Sequence, residues 1–464
     1  MNRIIESNRI ATPCLQIDLV CLSIRYDVLK FFDRKLILKF ISHLVRPKAK
    51  DTAIFKSNNG VDMMTTTNLS IIFLPIIAYF ITQTNWPYST FVSLLHLANL
   101  KESYYPSPWF DPAQELSPQI RAVSWLLLAG PAPPHDVQQI RQMVDTLWPN
   151  IWRGVGLPDG IKVHEIPIPV TSGDGGAVVY SPEKDGDDDG GANANAPRNG
   201  VLFEPPKIKS GGNHAIVFVH GGGLISGSVQ IEYGVVAEMA KRCNCPVLSV
   251  DYRLLPESTI AEAVSDVVAA FDWMSARHKS GGRQISIVGG SAGGILSLLS
   301  GITLRDRLRH WEKIHDEEDA SKNMKAPNVP AKLGLLSPGP GLEWLSNPPE
   351  VNWPSLKSNH RKDGFMAGGF YHYVRHLVFD DASTRRYFAS AMRDLSGLPP
   401  CLVTVGGHEV LRDGARTLAN ELQKGKVKVS FKEYDQMPHV HHALYFWAKE
   451  SSEALDYIIS WAID

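Results

Sequence analysis

One serine lies where a predicted strand gives way to a predicted helix. The run Ile285–Val288 is typical of a buried parallel strand, and apolar residues resume at Ile295. Between them, Gly289-x-Ser291-x-Gly293 is the pattern of a nucleophile elbow. Such a turn is so tight that positions two residues from the serine cannot carry a Cβ atom. We therefore predict that Ser291 is a nucleophile in a strained backbone conformation, at the start of a helix whose dipole favours negative charge.

Three glycines follow a histidine at the end of another predicted strand, in the order His220, Gly221, Gly222 and Gly223. Glycines at a strand end let backbone N–H groups point at one spot. Acyl transfer needs such donors because negative charge develops on the carbonyl oxygen. We predict an oxyanion hole formed by the N–H groups of Gly222, Gly223 and Ala292. A phosphate-binding loop is disfavoured because the Lys-Ser/Thr ending is missing.

A serine nucleophile needs a base, and three histidines follow the last predicted strand. His439 comes directly after a Met-Pro turn and is the predicted base. We expect His441 and His442 to begin the last helix and to act structurally. A zinc site made by the three histidines is the less favoured alternative, because no nearby carboxylate or cysteine completes a ligand set.

The third group should be a carboxylate between the serine and the histidine in the chain. Glu409 is nearest to the end of the predicted strand Leu402–Val405 and is the predicted orienting acid. Its role would be to fix the tautomer of His439 and to stabilise the imidazolium. Asp413 is the alternative acid; its simpler interpretation is a charge at a helix N-terminus.

Composition disfavours several other classes of protein. The chain has 464 residues, enough for one large domain with an appendage or for two domains. Its 47 Lys and Arg balance 48 Asp and Glu, so nothing indicates a nucleic-acid partner. The five cysteines are odd in number and scattered, which disfavours a disulfide-stapled secreted fold. Cys243 and Cys245 are interpreted as structural, since no second Cys/His pair lies at zinc spacing.

The N-terminal part differs from the rest. Residues 1–50 hold ten Lys/Arg against four acids, with apolar residues near helical spacing, which predicts an amphipathic helix. The pattern of a cleaved signal peptide does not open the sequence, so we expect none.

Residues 63–100 contain no charged side chain, but their apolar core, 69–81, is shorter than a standard membrane span. Three interpretations stay open: a helix buried against or capping the rest of the chain, an anchor on a membrane surface, and a transmembrane helix. Residues 23–100 are thus a candidate membrane contact of an intracellular protein, in the cytoplasm or at a membrane such as the endoplasmic reticulum. Residues 115–153 are predicted to be helical.

The remainder alternates short apolar strands with helical stretches, which predicts an α/β fold with a mostly parallel sheet flanked by helices. The predicted strands are Val163–Val170, Gly176–Tyr180, Ala215–Val219, Pro246–Val250, Ile285–Val288, Leu333–Leu336, Leu402–Val405 and Val427–Tyr434. The predicted helices cover about 228–242, 260–278, 292–304, 412–424 and 441–461. Carboxyl ends of parallel strands meet at one edge of a sheet, so the serine, acid and histidine are expected there.

We predict two domains: an N-terminal helical, cap-forming region, 1–155, and a catalytic domain, 156–464. Residues 184–200 are acidic and rich in Gly, Asn and Ala, which predicts a disordered surface loop. Residues 306–330 are charged and predict another loop. Residues 341–395 interrupt the alternation, and we expect them to form a cap insert over the mouth of the site.

From about residue 160 to 464 the chain resembles the hormone-sensitive-lipase-type (HGGG) branch of the α/β-hydrolases. The resemblance is carried by His220-Gly-Gly-Gly223, Asp251-Tyr-Arg-Leu-Leu-Pro-Glu257, Gly289-Gly-Ser-Ala-Gly-Gly294, Glu409-Val-Leu-Arg-Asp413 and Met437-Pro-His439. It implies an eight-stranded sheet, a cap built from the N-terminal segment and the insert after the sixth strand, and ester hydrolysis without any cofactor. Two positions depart from the family pattern. Gly290 replaces the usual Asp, so a contact behind the serine is missing, and Glu409-Val410 replaces Asp-Pro.

We interpret the chain as a serine carboxylester hydrolase that acts on an apolar small-molecule or lipid ester, with no metal. Three alternatives use the same residues or the same fold: acyl transfer or lactone chemistry in a biosynthetic pathway, a membrane-bound lipid hydrolase, and a non-catalytic small-molecule receptor. Aromatic residues in the insert predict an apolar pocket or part of the core: Trp344, Trp353, Phe365, Phe370, Tyr371 and Tyr373.

Overall fold

The structure of this protein is a computed structural model. The described residues are 98, 119–123, 135–168, 198–206, 214–277, 284–317, 325–339, 353–360, 362–366 and 370–464. Among the residue ranges that carried predictions, most of 23–100, the predicted strand 176–180, residues 184–197 and Trp344 lie outside the described residues. No helix within the described part is long and apolar enough to cross a membrane.

Eight strands form one sheet in the order β1-β2-β4-β3-β5-β6-β7-β8. The strands are β1 Lys162–Ile168, β2 Arg198–Glu204, β3 His214–Val219, β4 Val247–Val250, β5 Gln284–Gly290, β6 Lys332–Leu336, β7 Cys401–Gly406 and β8 Val429–Tyr434. β2 pairs antiparallel with β1 and β4, and all other neighbours are parallel. The predicted eight-stranded, mostly parallel sheet is confirmed.

Helices cover both faces of this sheet. They are α1 Val137–Val155, α2 Tyr233–Cys243, α3 Ile260–Arg277, α4 Ala292–Glu317, α5 Pro354–Ser358, α6 Phe370–Phe379, α7 Ala382–Ala391, α8 Arg412–Lys424 and α9 Lys449–Ile463. Short 3₁₀ turns occur at Val229–Glu232, Gly364–Met366 and His441–Leu444.

Central strand β3 shows why the central strands are unbroken apolar runs in the sequence. Val217 and Val219 pack into a core with α3 and α4, whereas Ile216 and Phe218 pack into the opposite core with α2 and α9. Successive side chains point to opposite faces, and both faces are covered by helices, so every position must be apolar.

The register brings the strand ends together. Val219 of β3 lies opposite Gly289 of β5, and Leu336 of β6 lies opposite both Gly290 and Thr404. The residues after β3, β5, β6, β7 and β8 therefore emerge at one edge of the sheet.

Three element predictions are corrected. The predicted loop 184–200 is wrong at its end, because residues 198–200 begin β2. Helix α4 continues to Glu317 instead of ending at 304, so the predicted loop 306–330 is wrong over its first turns. The last helix begins at Lys449 rather than 441, and a 3₁₀ turn holds His441 and His442.

Ion pairs explain the charged end of α4. Arg307 binds Asp272 of α3 at 2.7 Å, and Arg309 binds Asp394 at 2.7 Å. Because the charges contact neighbouring elements, this part of the helix needs few apolar residues. The cysteines of the predicted structural pair, Cys243 and Cys245, form a disulfide across the turn between α2 and β4.

Candidate active site

Ser291 sits on the turn from β5 into α4 with a φ of 53° and is 6% exposed. Its N–H donates to the carbonyl of Leu336 at 2.7 Å, which ties the turn to β6. A Cβ atom on Gly289 would lie 2.3 Å from the carbonyl oxygen of Gly293, and one on Gly293 would lie 2.0 Å from the carbonyl oxygen of Val219. Only glycine fits either position, as the spacing predicts.

His439 lies within hydrogen-bond distance of two other predicted site residues, Ser291 and Glu409, which follow different strands. His439 Nε2 is 2.9 Å from Ser291 Oγ, and His439 Nδ1 is 2.7 Å from Glu409 Oε2. A carboxylate only accepts, so Nδ1 carries the hydrogen and Nε2 accepts from the serine hydroxyl. Glu409 is fully buried and His439 is 4% exposed. This is the arrangement that a base needs to take a proton from a serine.

Glu409 is held by donors on its other oxygen. Oε1 accepts from the Ser337 hydroxyl at 2.7 Å and from the Gly406 N–H at 2.5 Å. Asp413, the alternative acid, instead accepts from the Ser355 N–H at 2.8 Å and pairs with Arg412 at 3.2 Å. Ser337 was not singled out from the sequence; its only signal is its position after β6.

The insert after β6 fastens the loop that carries Glu409. Asn359 Nδ2 donates to the carbonyls of Gly407 at 3.0 Å and Glu409 at 2.8 Å. The N–H of Val410 donates to Asp363 at 2.9 Å. Sequence reasoning placed the insert over the site but singled out neither Asn359 nor Asp363, because no local pattern marks them.

We expect Asn359→Leu to lower the free energy of unfolding by roughly 1–3 kcal/mol, since two buried carbonyl groups lose their donor. Activity should fall with it, because the Glu409 loop loses its support. Urea unfolding and ester turnover measure the two effects. Asn150→Ala is the control, because that side chain pairs with Arg153 at the surface. An unchanged unfolding midpoint for Asn359→Leu would contradict the expectation.

The glycine loop has backbone angles that require glycine. Gly222 has a φ of 111° and Gly223 a φ of 68°. A Cβ atom on Gly222 would lie 2.0 Å from the carbonyl oxygen of Ser226. Among the described residues, the amides of Gly222, Gly223 and Ala292 have no hydrogen-bond acceptor. They are therefore available to a ligand oxygen.

Buried carboxyl groups surround His439. Burial lowers its pKa, but the charge and hydrogen bond of Glu409, with the charges of Asp363 and Glu232, raise the pKa above its ordinary value overall. Burial raises the pKa of Asp363 to about 7 and that of Glu232 to about 8. Glu232, at the end of a 3₁₀ turn, is a further site residue that the sequence did not reveal.

Among the described residues, four other histidines are buried, namely His220, His408, His441 and His442. Burial lowers the pKa of His220 and His408 to about 4 and that of His442 to about 3, and lowers that of His441 as well. Within the described ranges, no group of three His, Cys, Asp or Glu residues is arranged to hold a metal ion.

These groups predict a maximum of stability near pH 6.5. Below this pH the unfolded chain protonates the four histidines while the folded chain keeps them neutral, so stability falls on acidification. Glu232, Asp363 and His439 have raised pKa values and act oppositely: the stability they contribute at low pH is lost as pH rises towards 8. Between pH 4.5 and 6.5, the four histidines make stability rise with pH and the two acids make it fall. The difference of two protons leaves a net rise of stability with pH in this range.

Urea unfolding from pH 4.5 to 8.5 tests this expectation. Each net proton changes the free energy of unfolding by about 1.4 kcal/mol per pH unit. His442→Asn should reduce the acid slope by about that amount. A midpoint that rises steadily to pH 8.5 would contradict the proposed balance.

Aromatic side chains from α1 and the insert approach the histidine. The Phe365 ring lies 6.4 Å from the His439 ring and stacks on Trp148, also at 6.4 Å. A Cβ atom on Gly223 would lie 2.9 Å from Val374 of α6. The predicted insert aromatic Phe365 is therefore near the site, whereas Trp353 packs against Gly414 of α8.

Comparisons with known proteins agree with this architecture. A family model described as alpha/beta hydrolase fold matches residues 216–443. An esterase of Acinetobacter venetianus is 29% identical over 57% of this chain and 79% of its own length. An acetyl-hydrolase of Streptomyces hygroscopicus is 28% identical over 49% of this chain and 68% of its own. A solved esterase of the bacterial hormone-sensitive lipase family, 23% identical, superposes with a TM-score of 0.55 over 75% of this chain and 98% of its own.

The sheet order and the family match define an α/β-hydrolase. The chain is similar to esterases of this fold, one of them from the bacterial hormone-sensitive lipase family, as its motifs predict.

Proposed function

We propose that this protein hydrolyses small apolar carboxylic esters with Ser291, His439 and Glu409 as its catalytic triad. The proposed oxyanion hole consists of the amides of Gly222, Gly223 and Ala292. The observation that carries the proposal is the unbroken hydrogen-bond chain from Ser291 Oγ through His439 to Glu409, at 2.9 and 2.7 Å.

In the first half of the reaction, Ser291 Oγ attacks the ester carbonyl while His439 Nε2 takes its proton. The carbonyl oxygen becomes negative and accepts hydrogen bonds from the three amides. The tetrahedral intermediate then collapses: the bond to the alkoxy oxygen breaks, and His439 gives its proton to the departing alcohol. An acyl ester on Ser291 remains.

In the second half, water replaces the alcohol. His439 takes a proton from the water as its oxygen attacks the acyl carbon, and the same amides bind the oxyanion. The bond to Ser291 Oγ breaks, the serine recovers its proton from His439, and the acid leaves. Glu409 stays ionised throughout and stabilises the imidazolium that forms twice per cycle.

The surroundings support an apolar substrate. Phe365, Trp148 and Val374 contribute apolar surface beside the histidine and the glycine loop. The name of one curated relative, an acetyl-hydrolase, supports a small acyl group. The domain division 1–155 and 156–464 stays a prediction. Helix α1, at the end of the first region, binds the catalytic region through Arg141, which pairs with Glu257 at 2.7 Å.

A membrane contact through residues 23–100 stays a prediction. Carbonate extraction of membranes that contain the full chain tests it: retention in the pellet would indicate an integral anchor, and release would indicate at most a peripheral contact.

A series of p-nitrophenyl esters from acetate to laurate tests the proposed reaction. We expect turnover of the short esters and stoichiometric labelling by a fluorophosphonate, which reacts with activated serines. Product analysis with and without an added alcohol separates hydrolysis from acyl transfer. Absence of both turnover and labelling would contradict the proposal and favour a non-catalytic receptor.

A further inference from the structure

We propose that Glu232 is a positioning residue for the glycine loop: its carboxyl group fills the space behind Gly290 and holds the Gly221 amide beside Ser291. The proposal rests on the proposed function, because it concerns the loop that would bind the oxyanion. Glu232 lies 59 residues before the serine and belongs to none of the motifs recognised in the sequence.

The first observation is the space itself. A Cβ atom on Gly290 would lie 3.0 Å from Glu232 Oε1, 3.7 Å from Val440 and 3.9 Å from His442 Nε2. The carboxyl group therefore lies directly against the backbone of the residue before the nucleophile. The contact expected to be missing because residue 290 is glycine is thus supplied from another part of the chain.

The second observation is the contact with the loop. The Gly221 N–H donates to Glu232 Oε2 at 3.3 Å. Gly221 is also where the loop crosses the elbow, because a Cβ atom there would lie 3.3 Å from the Gly290 carbonyl oxygen and 3.4 Å from Ser291 Cβ. The next two residues of the loop carry the proposed oxyanion donors, so the anchor lies one residue before them.

The opposite side of the same peptide units has its own anchor. The Tyr252 hydroxyl lies 3.0 Å from the carbonyl oxygen of His220 and 3.3 Å from that of Gly221. With Glu232 on the amide and Tyr252 on the carbonyl, rotation of this segment is opposed from both sides. Loss of the Glu232 acceptor frees one side and leaves a buried N–H without a partner.

The burial of Glu232 carries a desolvation cost that its contacts must offset. Its exposed fraction is 6%, and burying a carboxyl group is costly unless hydrogen bonds compensate. The titratable groups that face it are His439, His442 and Tyr252. Burial raises the pKa of Glu232 to about 8, so the neutral acid predominates at pH 7. Its carbonyl oxygen still accepts the Gly221 N–H, and glutamine reproduces that shape.

Three substitutions separate hydrogen bonding from packing. Glu232→Gln keeps both the volume and an acceptor, Glu232→Leu keeps the volume without an acceptor, and Glu232→Ala removes both. Glu238→Gln is the matched control, because Glu238 lies on the next helix and pairs with Arg242 at 2.8 Å.

We expect wild type, Glu238→Gln and Glu232→Gln to hydrolyse p-nitrophenyl butyrate at pH 7 with kcat values within about threefold of one another. Glu232→Leu and Glu232→Ala should lose about 10-fold to 100-fold in kcat, with KM within about twofold, because the misplaced donors act on the transition state. Fluorophosphonate labelling should slow in parallel. Far-UV circular dichroism and thermal unfolding of each variant identify any that does not fold.

Several results would overturn the proposal. One is wild-type kcat in Glu232→Leu or Glu232→Ala, and another is a loss in Glu232→Gln as large as in Glu232→Leu. If Glu232→Leu does not fold, the kcat values of Glu232→Ala and Glu232→Gln test the proposal by the same criteria. An inactive wild type that also resists labelling would overturn the proposed function and this inference together, whereas an active wild type with insensitive variants overturns this inference alone.

Discussion

Ser291→Ala should lower kcat by about five to six orders of magnitude, the largest effect expected for any single substitution in this chain. Alanine removes the only atom at this position that can form the acyl intermediate. The fold should persist, because the backbone bonds of the turn, including the 2.7 Å bond to the Leu336 carbonyl, do not involve the hydroxyl. Residual rate over water should come from the proposed oxyanion donors and from substrate binding.

Steady-state assays with p-nitrophenyl butyrate measure this loss of kcat. Fluorophosphonate labelling checks that the loss comes from the missing serine nucleophile. Ser300→Ala is a suitable control: Ser300 is fully buried on the same helix, and its hydroxyl has no partner among the residues described. We expect that variant to retain wild-type kcat and labelling. Labelling of Ser291→Ala at the wild-type rate would place the reactive serine elsewhere.

The sequence could identify groups whose local pattern is dictated by their backbone. Ser291 lies in a turn that tolerates only glycine at 289 and 293. Five consecutive residues are therefore enough to recognise the turn in the sequence. His439 and Glu409 follow strand ends, and strand ends share one edge in a parallel sheet. These positions follow from chain order alone.

The supporting residues could not be found in this way. Glu232, Ser337 and Asn359 reach the site from elements far apart in the chain, through one or two hydrogen bonds each that impose no periodicity on the sequence. Strand β2 was missed because it begins within a Gly- and Asn-rich stretch, where its pairing with β1 and β4 overrides local composition.

The same limit explains the error at α4. Residues 306–317 carry many charges, which by composition alone favour a loop. The helix is instead supported by ion pairs with Asp272 and Asp394, on segments that precede and follow it by many residues. Composition reports what a segment can bury but not which charges will find partners.

The second large effect is expected for Glu409→Gln, which should lower kcat by about four orders of magnitude. The glutamine amide can donate to His439 Nδ1, and this stabilises the tautomer whose Nε2 carries the hydrogen. That nitrogen then cannot accept the Ser291 proton. The imidazolium also loses the counter-charge that lies 2.7 Å from Nδ1.

Asp413→Asn is the matched control, because it makes the same chemical change in the other candidate acid. Its carboxylate accepts from the Ser355 N–H at 2.8 Å, and an asparagine oxygen can accept the same bond. We expect kcat within about threefold of wild type and a loss of at most about 1 kcal/mol in stability from the helix N-terminus. The reverse result, with Asp413→Asn inactive and Glu409→Gln near wild type, would transfer the role of orienting acid to Asp413. Because His439 touches Glu409 and Asp413 is occupied by Ser355 and Arg412, the geometry predicts the first outcome.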